Sequence, residues 1–132
     1  MGDLPAIDKK LGFIIKKNHS FMVMCFVLPE GSEFAFHDHP KMNSVQICSF
    51  GEMEIQSINK KYLKKKGDRF LYLKDKMRVE RLTALANECT SQVNEEFNIH
   101  KIKALKLSGF IDFMLPYYPD KECSHYTVSE EN

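Results

Sequence analysis

From Phe21 onward the chain is divided into apolar segments that are too short and too closely spaced to be helices. Residues 21–28 form a nearly unbroken apolar run containing Val23, Phe26 and Val27, and the run stops at Pro29-Glu30-Gly31, which is turn chemistry. It reads as a strand buried on both faces. Further short segments follow at 33–36, 45–50, 52–58, 70–73, 79–85, 99–105, 110–115 and 126–128. Many short strands separated by turns predict a barrel or sandwich. A helical period is offered only by residues 8–17 and by the acidic stretch near Asn94, both short and ambiguous, so the chain reads as all-β.

With 132 residues and 43% apolar content, the chain is the size of one domain with one core, taken here as 1–132 with the strands spanning about 13–128. Its 19 Lys and Arg against 18 Asp and Glu leave a net charge of +1, which gives no long-range attraction for nucleic acid or an anionic membrane. Residues 1–18 lack the apolar run of a signal peptide, and no stretch is long enough to span a membrane. These features predict a cytoplasmic protein, with a nuclear location equally compatible. Cys25, Cys48, Cys89 and Cys123 show no C-x-x-C pairing and read as free thiols. The lysines at 60, 61, 64, 65 and 66 run into Gly67-Asp68 and read as a solvated hairpin end. Nothing in the sequence specifies an oligomeric state.

The chemically informative segment runs from Gly31 to Pro40. His37 and His39 stand at i and i+2, and period-two alternation in a strand points both imidazoles to one side, where they can share a metal. With Gly31 before the pair and Gly51 after it, the unit looks like the first cupin motif, except that Asn43 and Ser44 occupy the places where a glutamate ligand usually follows. A third ligand must come from His19, His100 or His125. His100 is the best placed, because His100, Ile102 and Ala104 alternate with Lys101 and Lys103 and so share the apolar, interior face of a strand. The competing reading is a neutral core histidine satisfied by hydrogen bonds. Three imidazoles with no carboxylate leave open positions and the full charge of a dication, which suits a thiolate together with dioxygen; zinc also occupies such triads.

Taken together, His37-Asp38-His39-Pro40-x-Met42, Gly51, Asn98-Ile99-His100, Phe110-Ile111-Asp112, Leu115-Pro116-Tyr117-Tyr118 and Cys123-Ser124-His125-Tyr126 resemble the thiol dioxygenases of the cysteamine dioxygenase and plant cysteine oxidase family. The resemblance implies a single-domain cupin-like double-stranded β-helix, a jelly-roll barrel. It implies one iron(II) per chain on His37, His39 and His100, and addition of dioxygen to cysteamine or to a protein's N-terminal cysteine to give a sulfinic acid. It further implies that Asp112 and Tyr118 support catalysis and that Cys123 lines the pocket.

Asp112 also stands out on physical grounds, as a carboxylate flanked by Phe110, Ile111, Phe113 and Met114, where an ionised group is costly unless it is paired. Alternation places it with Phe110 and Met114, where it can orient a ligand histidine or receive a substrate amine; the bland alternative is that this face is solvated. Asp38, between two inward histidines, should point outward. The chain departs from the family at Lys41, which replaces a glycine and stands where it could meet a substrate carboxylate, at Glu96-Phe97, which replace Gly-Gly, and at His125, which replaces a tyrosine beside Cys123. Two other functional classes stay open: a metal-binding cupin without catalysis, and a three-histidine cupin enzyme of another reaction type.

Overall fold

The computed structural model describes residues 8–39, 42–84, 90–115 and 123–131. Twelve strands account for most of them: β1 (Leu11–Lys17), β2 (Met22–Leu28), β3 (Glu33–Asp38), β4 (Asn43–Phe50), β5 (Glu52–Ile58), β6 (Lys64–Lys66), β7 (Arg69–Tyr72), β8 (Arg78–Thr83), β9 (Thr90–Val93), β10 (Ile99–Ala104), β11 (Ser108–Leu115) and β12 (Val128–Glu130). One sheet has the order β1-β2-β11-β4-β9, a second β3-β10-β5-β8, and a third, smaller one β12-β7-β6. All pairings are antiparallel except β12 with β7. No helix among the described residues is long and apolar enough to cross a membrane.

Residues 8–17, which carry an ambiguous helical period, are instead strand β1, paired with β2 from Leu11↔Val27 to Lys17↔Met22. The β-branched pair Ile14-Ile15 favours the extended form, and the ladder to β2 offers hydrogen bonds that an isolated helix of this length could not match. The acidic stretch near Asn94 is a turn and not a helix: the Asn94 side-chain oxygen accepts from the Glu96 and Phe97 amides, both at 2.9 Å. That asparagine shapes the turn leading to Glu96-Phe97. Strands β6 and β9 carry no apolar run and were invisible to pattern reading. The lysine cluster does end in a hairpin, β6 to β7, turning through Gly67 at φ 65°. None of the residues of β2 is exposed, as its apolar run predicted.

The two larger sheets face each other, and their inward residues change character along each strand. At one end, Leu28, Cys48, Met53, Ile55, Leu82, Ile102, Ala104 and Phe110 form the main apolar core. Phe26 stacks on Phe110 at 5.1 Å between ring centroids, and Phe34 meets Phe26 edge-on at 5.2 Å. Moving along the same strands by two or four residues, Cys48 gives way to Gln46 and Ser44, Phe110 to Asp112, Ile55 to Ser57, and Ile102 to His100, all of them buried. Period-two alternation therefore carries polar groups into the far end of the barrel.

Gly51 joins β4 to β5 at φ 82°, and a Cβ there would collide with the Leu107 carbonyl oxygen and Ser108 Oγ. Gly51→Ala combines a left-handed backbone with backbone overpacking, and is expected to destabilise the protein by about 3 kcal/mol, read as a lower urea midpoint at unchanged m-value.

Candidate metal centre

β3 and β10 pair so that His100 lies opposite His37, with a register shift between His100 and Ile102. Four residues of β3, from Phe34 to His37, match three of β10, from His100 to Ile102, and this bulge lets both Phe34 and His37 face inward. His39 follows directly after β3. The outcome is a convergence of ring nitrogens: His39 Nε2 lies 3.1 Å and His37 Nε2 3.2 Å from His100 Nε2. His37, His39 and His100 can each aim one ligand atom at a common point, all within 4.8 Å of one another. Metal–nitrogen bonds of about 2.1 Å place neighbouring ligand nitrogens about 3.0 to 3.4 Å apart, so the observed spacings fit a first-row dication.

Protonation state supports the same fit. Burial pulls the pKa of His39 down to about 3, with the nearby His37 adding to the effect. Burial also lowers His37, more than its bond to a backbone carbonyl raises it, and His125 lowers it further. His100 is held well below the ordinary imidazole value by burial, then by His37, His39 and Arg78. At neutral pH all three rings are uncharged, the form in which imidazole binds metals. The Nδ1 of His37 is 2.7 Å from the Ala35 carbonyl oxygen, so it carries the proton and leaves Nε2 as the free lone pair. Among the described residues the buried Nδ1 of His100 has no hydrogen-bond partner, and neither does buried Ser57 Oγ, which belongs to the residue directly opposite His100 on β5. A dication at Nε2 offsets the cost of leaving three uncharged, desolvated lone pairs crowded together.

His19 lies between β1 and β2, exposed and outside the triad. His125 is also outside it: its backbone bridges to His37 and its exposed ring stands 6.0 Å from the His37 ring. Cys123 and His125 line, together with His37 and Lys10, a cleft of about 520 Å³. A second cleft, of about 510 Å³, opens beside His39 and is lined by Asp38, Lys60, Asn94, Glu95 and Asn98 among others. Lys41, Tyr118 and Cys89 lie outside the described residues. Of the other cysteines, Cys48 is buried, Cys25 half-buried and Cys123 exposed.

Asp112 is 6% exposed, which rules out the solvated-face reading. Its Oδ1 accepts from Gln46 Nε2 at 3.0 Å, and the same amide donates to Ser44 Oγ at 2.8 Å. No histidine donates to it among the described residues. Burial raises its pKa to about 6, against the opposing effect of the Gln46 bond.

Sequence reasoning missed the part played by Asp38. It faces away from the triad, as alternation predicts, but its carboxylate accepts from the Ser124 amide at 2.7 Å and from the Tyr126 hydroxyl at 3.1 Å. Backbone bonds from Asp38 to Ser124 and from Tyr126 to Phe36 complete the clamp. This fastens residues 124–126 beside the triad and seats Tyr126 in a second apolar cluster with Phe36, Ile58 and Ile99. Asp38→Ala is expected to cost about 1–2 kcal/mol and to speed proteolytic cleavage near residue 124, checked by limited proteolysis of the folded protein. Asn98 was also underread: its side-chain oxygen accepts from the Lys60 amide at 2.8 Å, while Asn59 donates to the Glu95 and Glu96 carbonyls. The two asparagines fix the loops around the His39 cleft.

With this geometry in hand, comparison with known proteins is decisive for the family. The profile of the PCO_ADO family, which covers cysteamine dioxygenases and plant cysteine oxidases, matches residues 10–132. The chain belongs to that family. Its iron dependence agrees with the three-histidine centre as a possible metal site. No protein of curated function matches. Solved structures similar to the chain share its fold. A double-stranded β-helix protein from Klebsiella pneumoniae aligns with a TM-score of 0.63 at 14% identity, covering 93% of this chain and 89% of its own. KdgF from a Halomonas species gives 0.61 at 17% identity over 84% and 82%. A cupin superfamily protein from Desulfitobacterium hafniense gives 0.61 at 12% identity over 83% and 80%. The fold is the cupin double-stranded β-helix that the sequence predicted.

Proposed function

We propose that the chain is an iron(II)-dependent thiol dioxygenase that adds both atoms of dioxygen to the sulfur of a small aminothiol or of a polypeptide's N-terminal cysteine, giving a sulfinic acid. The observation that carries the reading is the convergence of three uncharged imidazoles, with no carboxylate among them, in a member of a thiol-oxidising family. Iron held by His37, His39 and His100 would supply the positive charge that favours the thiolate form and open positions for thiolate and dioxygen.

The chain's own groups do the rest. Asp112, held in place by Gln46, accepts the proton released by the thiol, a task suited to a carboxyl group with a pKa near 6. The cleft beside His39 admits the substrate, with Glu95 facing its ammonium group. In this reading Tyr118 donates a hydrogen bond to the reacting oxygen. Cys123 and His125 border the approach to His37. The apolar core beneath the polar end keeps water from the reacting sulfur.

Oxygen uptake by protein loaded with iron(II) without air tests this reading. The expected result with cysteamine is one dioxygen consumed per thiol lost, with sulfinate as product and zinc-loaded protein inactive. Disulfide and peroxide as the products would contradict it.

A further inference from the structure

The positive charge of this nearly neutral chain is concentrated in one strip. Residues 60–78 hold nine of its 19 Lys and Arg, against two carboxylates within the segment, Asp68 and Asp75; from outside it, Glu130 and Glu131 share a cleft with Lys66 and Arg69, and Glu80 pairs with Arg78. The strip starts at the metal centre, since Lys60 lines the cleft that includes His39. It continues through Tyr62, whose ring lies 5.1 Å from Lys61 Nζ and 4.9 Å from Lys76 Nζ. It ends on β6, three consecutive lysines that are all exposed. Lys64 meets Glu131 at 3.7 Å, whereas Lys65 and Lys66 have no acidic partner among the described residues. Among the described residues β6 pairs with β7 alone, so its other edge presents free backbone donors and acceptors.

We propose that this strip receives an extended acidic polypeptide segment, the stretch that follows the thiol-bearing residue of the substrate. The inference rests on the thiol dioxygenase reading for the residue in the cleft. An open strand edge binds an extended peptide by main-chain hydrogen bonds, and alternation on β6 offers Lys64 and Lys66 to one side of such a peptide and Lys65 to the other. Three adjacent lysines repel a second copy of the same edge, so the edge selects a strand of opposite charge. A polypeptide is favoured over nucleic acid because the chain as a whole has a net charge of only +1, and because Glu95 stands in the cleft where a phosphate backbone would have to pass.

Fluorescence anisotropy of the full iron-loaded chain, without air, tests the proposal with four labelled probes. These are a peptide beginning Cys-Gly and continuing in alternating Glu and Ser, its Gln and Lys counterparts, and a single-stranded oligonucleotide of equal length. The acidic peptide is expected to bind about tenfold more tightly than the Gln peptide, as three weak exposed pairs would give, and to lose that margin in high salt. The margin should vanish in Lys64→Glu/Lys65→Glu/Lys66→Glu and shrink in the milder Lys65→Gln/Lys66→Gln. Equal binding of the acidic and Gln peptides, or a margin retained in both variants, would overturn the proposal; so would tighter binding of the oligonucleotide, which would make nucleic acid the partner. Turnover separates this from the enzymatic reading. Oxidation of cysteamine without an acidic preference sinks only this inference, whereas an acidic preference without any thiol oxidation leaves an acidic-segment site but sinks the dioxygenase reading and, with it, that segment's role as substrate.

Discussion

Asp112→Asn is expected to make the metal-free protein more stable at neutral pH while removing most of its activity. The Asp112 carboxyl is buried, and its pKa is raised from 3.8 to about 6, first by burial. A raised carboxyl pKa means that the folded state holds a proton more tightly than the unfolded chain does. Stability attributable to this group therefore falls as pH rises from about 4 to about 6, and above that range the full cost of the buried charge, up to about 3 kcal/mol, is present. Asparagine removes the charge and keeps an oxygen for Gln46 Nε2. Urea denaturation should show the variant gaining stability at pH 7 to 8, with the gain disappearing below pH 4. Activity should drop by about 100-fold, because the amide cannot take up the thiol proton. A variant less stable than the parent at pH 7 would mean that the carboxylate is paired with a group that has escaped notice.

His100→Ala is expected to reduce bound iron from one per chain to almost none, and turnover with it. The ring is 1% exposed and its nitrogen lies within 3.2 Å of both partner nitrogens, so no neighbouring side chain can replace it. The stability of the metal-free variant should change by less than about 2 kcal/mol, since the cavity left behind is offset by removing a buried Nδ1 that has no partner. Thermal unfolding with and without iron separates the two effects. The parent should be stabilised by about 3 kcal/mol at a hundredfold excess of iron over its Kd, and the variant should not respond.

The sequence made the triad legible because both rules involved are local. The i, i+2 spacing put His37 and His39 on one side, and the alternation of His100 with Lys101 and Lys103 put the third ring inside. What it could not show is the bulge between β3 and β10, since a one-residue register shift leaves no mark in apolar patterning. Residues 8–17 are ambiguous in sequence for a similar reason: β1 is an edge strand among the described residues, which needs no strict alternation, and Phe13, Ile14 and Ile15 are all more than half exposed. β6 and β9 carry no strand signal because lysine and polar runs have no apolar pattern; β6 is a strand through its hairpin with β7, and β9 through β4, which is distant in sequence. Asp112 was found as an anomaly of composition, but its Gln46 partner, 66 residues away, required the paired strands β4 and β11. The clamp of Asp38 on residues 124–126 depends on a contact across 86 residues.

The most direct test of the central claim is mass spectrometry of a peptide with an N-terminal cysteine, incubated in air with iron-loaded protein and, in parallel, with His100→Ala. The account predicts that the peptide gains the mass of two oxygen atoms at its cysteine in the first reaction and none in the second. An unmodified peptide in the presence of one iron per chain, or an equal gain in both reactions, would contradict it.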